Sequence, residues 1–212
     1  MFAKLRYNPA ILGEYFYPKI MWKSRQEKIL LTFDDGPNPG STENILNLLD
    51  KHKISAVFFC SGEQAVKHPD LVNAISSHGH VIASHAMNHN NLRRSNRGQI
   101  RGELVKANQA LSDITKQPIR YFRPPYGKFN RHVLNISKEL NQDMVLWSLI
   151  LPDYKNDINL VKFAMRFLNG NSIVVMHDGP MSESIVLEEI DLLIEKARKS
   201  KFELGDPIEC LK

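Results

Sequence analysis

Ile29-Leu30-Leu31-Thr32-Phe33-Asp34-Asp35-Gly36-Pro37 opens as an apolar run and closes on two adjacent carboxylates followed by Gly-Pro. The run predicts a strand, and Gly-Pro predicts its stop and a turn. Two carboxylates at a strand end repel each other, and each desolvated charge calls for a cation, a metal or a bound proton nearby. Taken alone, Asp-Asp-Gly-Pro is more often an exposed turn, because these residue types suit turns. The rest of the chain has to decide.

Outward from this stretch, helical and strand patterns alternate. Residues 41–51 carry Ile45, Leu46, Leu48 and Leu49 at helical spacing. Residues 54–60 are a short apolar run suited to a strand buried on both faces. Helix 69–77 leads to strand 80–83, which delivers Ser84-His85; helix 97–115 leads to strand 119–122, which ends at Arg123-Pro124-Pro125-Tyr126-Gly127. Helix 130–141, strand 144–147, helix 160–168, strand 172–176, helix 183–199 and a short strand at 202–204 complete the pattern. Seven alternations imply a parallel sheet with helices outside, and the count falls short of an eight-fold barrel. The expected fold is therefore α/β, a distorted seven-stranded (β/α) barrel. Residues 1–27, rich in Tyr, Trp and Pro, are expected to form an irregular arm packed on a single domain over 28–212.

Composition narrows the partners. The 212 residues are 42% hydrophobic and 24% charged, as in ordinary globular proteins. The net charge of +5 is dispersed, and its densest run, Arg93-Arg94 with Arg97 and Arg101, is broken by polar residues, so no nucleic-acid partner is expected. No apolar segment reaches the roughly 20 residues that span a bilayer. Residues 1–23 lack the apolar core of a secretory signal, which makes a cytoplasmic location the default and an extracytoplasmic one the alternative if a leader has been removed. Cys60 and Cys210 do not make a disulfide framework.

Chemistry-bearing residues recur where predicted strands end: Asp34-Asp35, His85 with His89, Arg123, Asp153 beyond Trp147, and His177-Asp178. In parallel α/β folds that rim is where active sites lie. His85 and His89 are four residues apart, close enough to share a metal if the segment is one helical turn. With one carboxylate of the Asp pair they make a two-His, one-carboxylate set that leaves positions open for water and substrate.

Thr32-Phe33-Asp34-Asp35-Gly36-Pro37, His85-x-x-x-His89, Arg123-Pro124-Pro125-Tyr126, the stretch 147–154 and Met176-His177 resemble, in order, the five motifs of the polysaccharide deacetylase family, the NodB-homology domain of carbohydrate esterase family 4. The resemblance implies metal-dependent hydrolysis of N-acetyl groups on hexosamine units of a glycan. It implies Asp35, His85 and His89 as metal ligands, for zinc first and cobalt or nickel as alternatives. It implies Asp34 as general base, Arg123 as the residue holding Asp34, and the Tyr126 N–H as an oxyanion donor. His177 is then the general acid and Asp153 its orienter, with Trp147 a wall for sugar rings. An O-acetyl esterase acting on xylan, a cyclic-amide hydrolase and a non-catalytic glycan-binding protein are the competing readings. Four departures from the family pattern stand out: Ala86 for a Ser or Thr, Ile150 for an Asp, Tyr154 for a Trp and Met176 for a Leu.

Overall fold

Strand β1 (Leu30–Asp34) is buried along its whole length and lies inside the sheet, flanked on both sides by parallel neighbours. The computed structural model describes residues 7–153, 158–180 and 183–212. Within them, β2 (Val57–Cys60), β3 (Val81–Ser84), β4 (Tyr121–Phe122), β5 (Asp143–Met144), β6 (Leu149–Ile150) and β7 (Ile173–His177) join β1 in one parallel sheet of order β5-β4-β3-β2-β1-β7-β6. The sheet curls into a half-barrel with helices around it, as the strand–helix alternation predicts.

Side chains alternate along the strands with the period of two that a pleat imposes. Leu31, Phe33, Val174 and Met176 join a core shared with α2 (Thr42–His52), α7 (Leu160–Phe167) and α8 (Glu183–Lys199). Leu30, Phe59 and Ile173 belong to a separate core with Val145, Cys210 and Leu211, the last two from α9 (Pro207–Leu211). Asp34 and His177 fall on the same alternation as Leu30 and Ile173, so both are carried to the C-terminal rim on the barrel's inner face. They are direct register partners across β1 and β7.

Three elements differ from expectation. The strand expected at 144–147 is split: after β5 the chain leaves the ladder and resumes as β6. Across the break Val145 is bridged by Met21 of the N-terminal arm, and Arg123 Nε and Nη2 donate to the carbonyls of Val145 and Leu146, each at 3.1 Å. Residues 202–204 contribute one bridge, Ile29 to Leu204, before Gly205-Asp206 turns the chain into α9. Finally, α3 (Gly62–Lys67), capped by Ser61, precedes α4 (Pro69–Ser77), where no separate helix was expected. The remaining helices are α5 (Arg97–Thr115), α6 (Arg131–Glu139) and α1 (Ala10–Phe16), the last a regular element within the N-terminal arm that was expected to be irregular. No helix of the described residues is long and apolar enough to cross a membrane.

Candidate active site

Arg123 follows β4 directly and is completely buried inside the half-barrel, its guanidinium 3.9 Å from the centre of the Phe59 ring. Such a charge is tolerated only when paired and fully hydrogen-bonded. Its Nη1 donates to Asp34 Oδ1 at 2.6 Å and to Thr32 Oγ1 at 2.8 Å, while the other nitrogens hold the two carbonyls at the break in the fifth strand. The contact with Asp34 is made through one nitrogen and is not bidentate. Asp34 is thereby fixed in direction and buried.

Asp35, one residue on, has a φ of 78° and turns its side chain away from that pair. Asp35 Oδ1 lies 3.0 Å from His89 Nε2 and 3.5 Å from His85 Nε2, and one ligand atom from each of the three residues lies within 4.8 Å of the others. Burial works to raise the Asp35 pKa, but the two histidines outweigh it and hold the carboxyl well below the usual range. His85 Nδ1 stands 2.8 Å from the Arg123 carbonyl. A carbonyl only accepts, so Nδ1 carries a hydrogen, and Nε2 is the ring nitrogen that faces Asp35. Asp35 Oδ1 is itself buried without a well-formed hydrogen bond. An orphaned anionic oxygen facing two imidazole nitrogens is a donor set that fits a divalent transition ion.

The histidine pair does not sit on a helical turn. Residues 85–90 form a loop in which Ala86 (φ 64°) and His89 (φ 53°) are left-handed. Convergence of the two rings comes from that irregular backbone and not from helical spacing.

His177 ends β7, and its Nδ1 and backbone N–H each lie 2.7 Å from a different oxygen of Asp153, which is buried. Burial of His177 opposes its charged form, yet the Asp153 carboxylate prevails and pushes the imidazole up to about 9. Asp178 is fully buried and takes hydrogen bonds from Ser41 Oγ (2.6 Å) and Thr42 Oγ1 (2.5 Å), tying the turn after β1 to the end of β7. Burial pushes its carboxyl up to about 6. Gly36 makes this packing possible: a Cβ there would stand 2.4 Å from Asp178 Oδ2.

A cavity of about 730 Å³ opens over these groups, lined by Asp34, Asp35, His85, His89 and His177 with Tyr126 and Trp147. Tyr126 is left-handed (φ 61°), and its ring packs edge-on to His89 at 4.6 Å. Its backbone N–H makes no hydrogen bond among the described residues. The sequence profile of the polysaccharide deacetylase family matches residues 23–145. The chain belongs to the polysaccharide deacetylase family.

Relatives agree with that assignment. A peptidoglycan-N-acetylglucosamine deacetylase of Bacillus cereus is 37% identical over 128 residues, which are 60% of this chain and 46% of that protein. A chitooligosaccharide deacetylase of Rhizobium leguminosarum bv. trifolii is 34% identical over 158 residues, 74% of each chain. The chain spans about half the length of the Bacillus cereus protein and of a peptidoglycan-N-acetylmuramic acid deacetylase of Bacillus subtilis. Among solved structures, a peptidoglycan N-acetylglucosamine deacetylase in complex with 4-naphthalen-1-yl-N-oxidanyl-benzamide superposes with a TM-score of 0.85 at 25% identity, over 93% of this chain and 95% of that one.

In this member of the family, the predicted residues Asp34, Asp35, His85, His89, Tyr126, Trp147 and His177 share the cavity; Arg123 and Asp153 stand behind Asp34 and His177. Ile150 lines the cavity as well. Tyr154 lies outside the described residues. Two residues that the sequence did not single out for a role are Asp178 and Glu103. Asp178 adjoins His177, so position was its only signal. Glu103, on α5, carried none.

Proposed function

We propose that residues 28–212 act as one catalytic unit that hydrolyses the N-acetyl group of an N-acetylhexosamine in a glycan and releases acetate. One observation carries the reading. The Asp34–Arg123 and His177–Asp153 pairs stand at one level on adjacent strands, beside Asp35, His85 and His89, on a single cavity. A base and an acid flanking a metal-type donor set suit amide hydrolysis, which needs a proton removed at one end and delivered at the other. The names of the relatives point to N-acetylglucosamine-containing glycans as the substrate class.

A divalent ion held by Asp35, His85 and His89, with zinc the first candidate and cobalt or nickel the alternatives, supplies polarisation of the acetyl carbonyl and a lower pKa for the attacking water. Asp34, held by Arg123, takes the proton of that water as its oxygen bonds to the acetyl carbon. The unpartnered Tyr126 N–H donates to the oxyanion that forms, a contribution typically worth about 3 kcal/mol. His177, charged at neutral pH, gives its proton to the sugar nitrogen as the carbon–nitrogen bond breaks, because an amide anion does not leave. Asp153 maintains that charge. Trp147 and Tyr126 offer apolar faces to the sugar ring.

The test is acetate release from N-acetylated chito-oligosaccharides and from acetylated xylan, each with and without chelator. Chelator-sensitive release from the N-acetylated substrate, lost in Asp34→Asn, is expected. Release from xylan alone assigns an O-acetyl esterase. Glycan binding without release by the metal-loaded protein assigns a non-catalytic binder.

A further inference from the structure

Loop 85–90 supplies two of the three proposed metal ligands, yet it has no regular secondary structure, so its backbone N–H groups need acceptors from elsewhere. Glu103 provides two of them. Its Oε2 accepts from the N–H of Met87 at 3.1 Å and of Asn88 at 2.9 Å. Its Oε1 accepts from Asn88 Nδ2 at 2.9 Å and Asn90 Nδ2 at 3.2 Å. All four bonds end on one carboxylate, which makes them charge-assisted. On the opposite edge, the N–H groups of Gly62 and Glu63, at the start of α3, donate to the carbonyls of Ala86 and Met87, each at 2.9 Å.

We infer that Glu103 is a positioning residue that sets the metal affinity of the site by fixing His89. The inference rests on the metal reading above. His89 lies between the two residues whose side-chain amides Glu103 grips, and its left-handed backbone is held from both sides of the chain. Glu103 does not line the cavity; Asn88 and His89 do. Its own place is secured by α5, which begins with an Asn96–Gln99 capping box and buries Ile100, Leu104 and Ala107. This clamp also accounts for a loop that keeps its shape with Ala86, fully buried and without a hydroxyl, beside the first ligand.

The test compares zinc dissociation constants of the metal-stripped full chain by chelator competition, with the thermal midpoint of the same samples as a second readout. Glu103→Ala should weaken zinc about 10- to 100-fold, the usual effect of removing an outer partner of a ligand. Glu103→Asp, one methylene short, keeps the charge but cannot accept all four bonds at once, and it should weaken zinc in the same direction. Glu103→Gln should stay within about threefold of wild type, because its amide oxygen still serves both N–H groups and the facing asparagine amides can turn. Arg101→Ala removes one of the two ties from α5 to Glu139 (2.7 Å; Arg97 makes the other) without touching the loop; it should lower the thermal midpoint slightly and leave zinc binding unchanged. Alanine and aspartate variants that bind zinc within twofold of a zinc-binding wild type overturn this inference alone. So does an equal loss in Arg101→Ala. A wild-type chain that binds none of zinc, cobalt and nickel overturns the metal reading, and this inference with it.

Discussion

Replacing Asp153 by Asn tests the acid half of the proposed mechanism, because it removes a charge while leaving an acceptor of the same size. In the folded protein burial acts against the His177 imidazolium, and Asp153, 2.7 Å away, reverses that to bring the ring up to about 9. Without the carboxylate, burial opposes only the weaker pulls of Asp34 and Asp35, and the ring falls toward its ordinary 6.5. At pH 8 the protonated fraction then drops from about 0.9 to about 0.03, about thirtyfold, and the deficit narrows as the pH is lowered. A cation at Asp35 lowers both values together, so the difference between the two proteins is the quantity predicted. The assay is kcat/KM for acetate release from an N-acetylated oligosaccharide between pH 5.5 and 9. The variant's alkaline limb should move down by about two pH units or more, while metal content stays unchanged. Superimposable alkaline limbs would refute the argument, since Asp153 would then not set the charge that the reaction uses.

Other perturbations address separate parts of the site. His85→Ala should reduce zinc from about one ion per chain to none by elemental analysis, and unchanged stoichiometry would remove His85 from the ligand set. Arg123→Met leaves Asp34 buried and uncompensated and deprives two carbonyls of their donors; about 3 to 5 kcal/mol of destabilisation is expected in urea, and a loss under 1 kcal/mol contradicts it. For Asp178, pushed up to about 6 from 3.8, the metal-free native state holds a proton that the unfolded chain has already released between about pH 4 and 6. Stability should therefore fall by about 3 kcal/mol as the pH rises through that window, and Asp178→Asn should flatten the slope; parallel pH dependences in the two proteins would refute it.

Much of this site was legible in the sequence because parallel strands direct their ends to one rim. Asp34, His85, Arg123 and His177 each end or follow an apolar run, so placing the strands placed these residues. What the sequence left hidden depends on contacts between distant segments. At the break in the fifth strand Arg123 takes the carbonyls of Val145 and Leu146 while Met21 pairs with Val145, and no local pattern at 144–147 foretells either contact. Ser41 and Thr42 read as a helix start, whereas their hydroxyls hold Asp178, more than 130 residues away. The histidine pair shows the limit of spacing rules, since four residues apart suggested a helical turn and the chain makes a loop.

That loop belongs to a wider pattern of backbone strain. Among the described residues eight non-glycine residues have positive φ. Lys53 and Lys116 directly follow helices, Asn141 and Lys201 come two residues after one, and such ends commonly turn left-handed. The other four are Asp35, Ala86, His89 and Tyr126, all at the cavity or beside it. A strained non-glycine backbone costs about 1 to 3 kcal/mol and persists only where its surroundings over-determine it. The surroundings here are identifiable. Asp178 grips the turn after Asp35 through Ser41 and Thr42, and Glu103 grips the segment between Ala86 and His89. Trp147 packs so closely on Gly127, next to Tyr126, that a Cβ there would stand 2.4 Å from its ring. The proposed ligating and catalytic side chains are thus set by a second group of residues, of which Asp178 and Glu103 were given no role by the sequence, and those residues hold the backbone in the shape that the proposed chemistry requires.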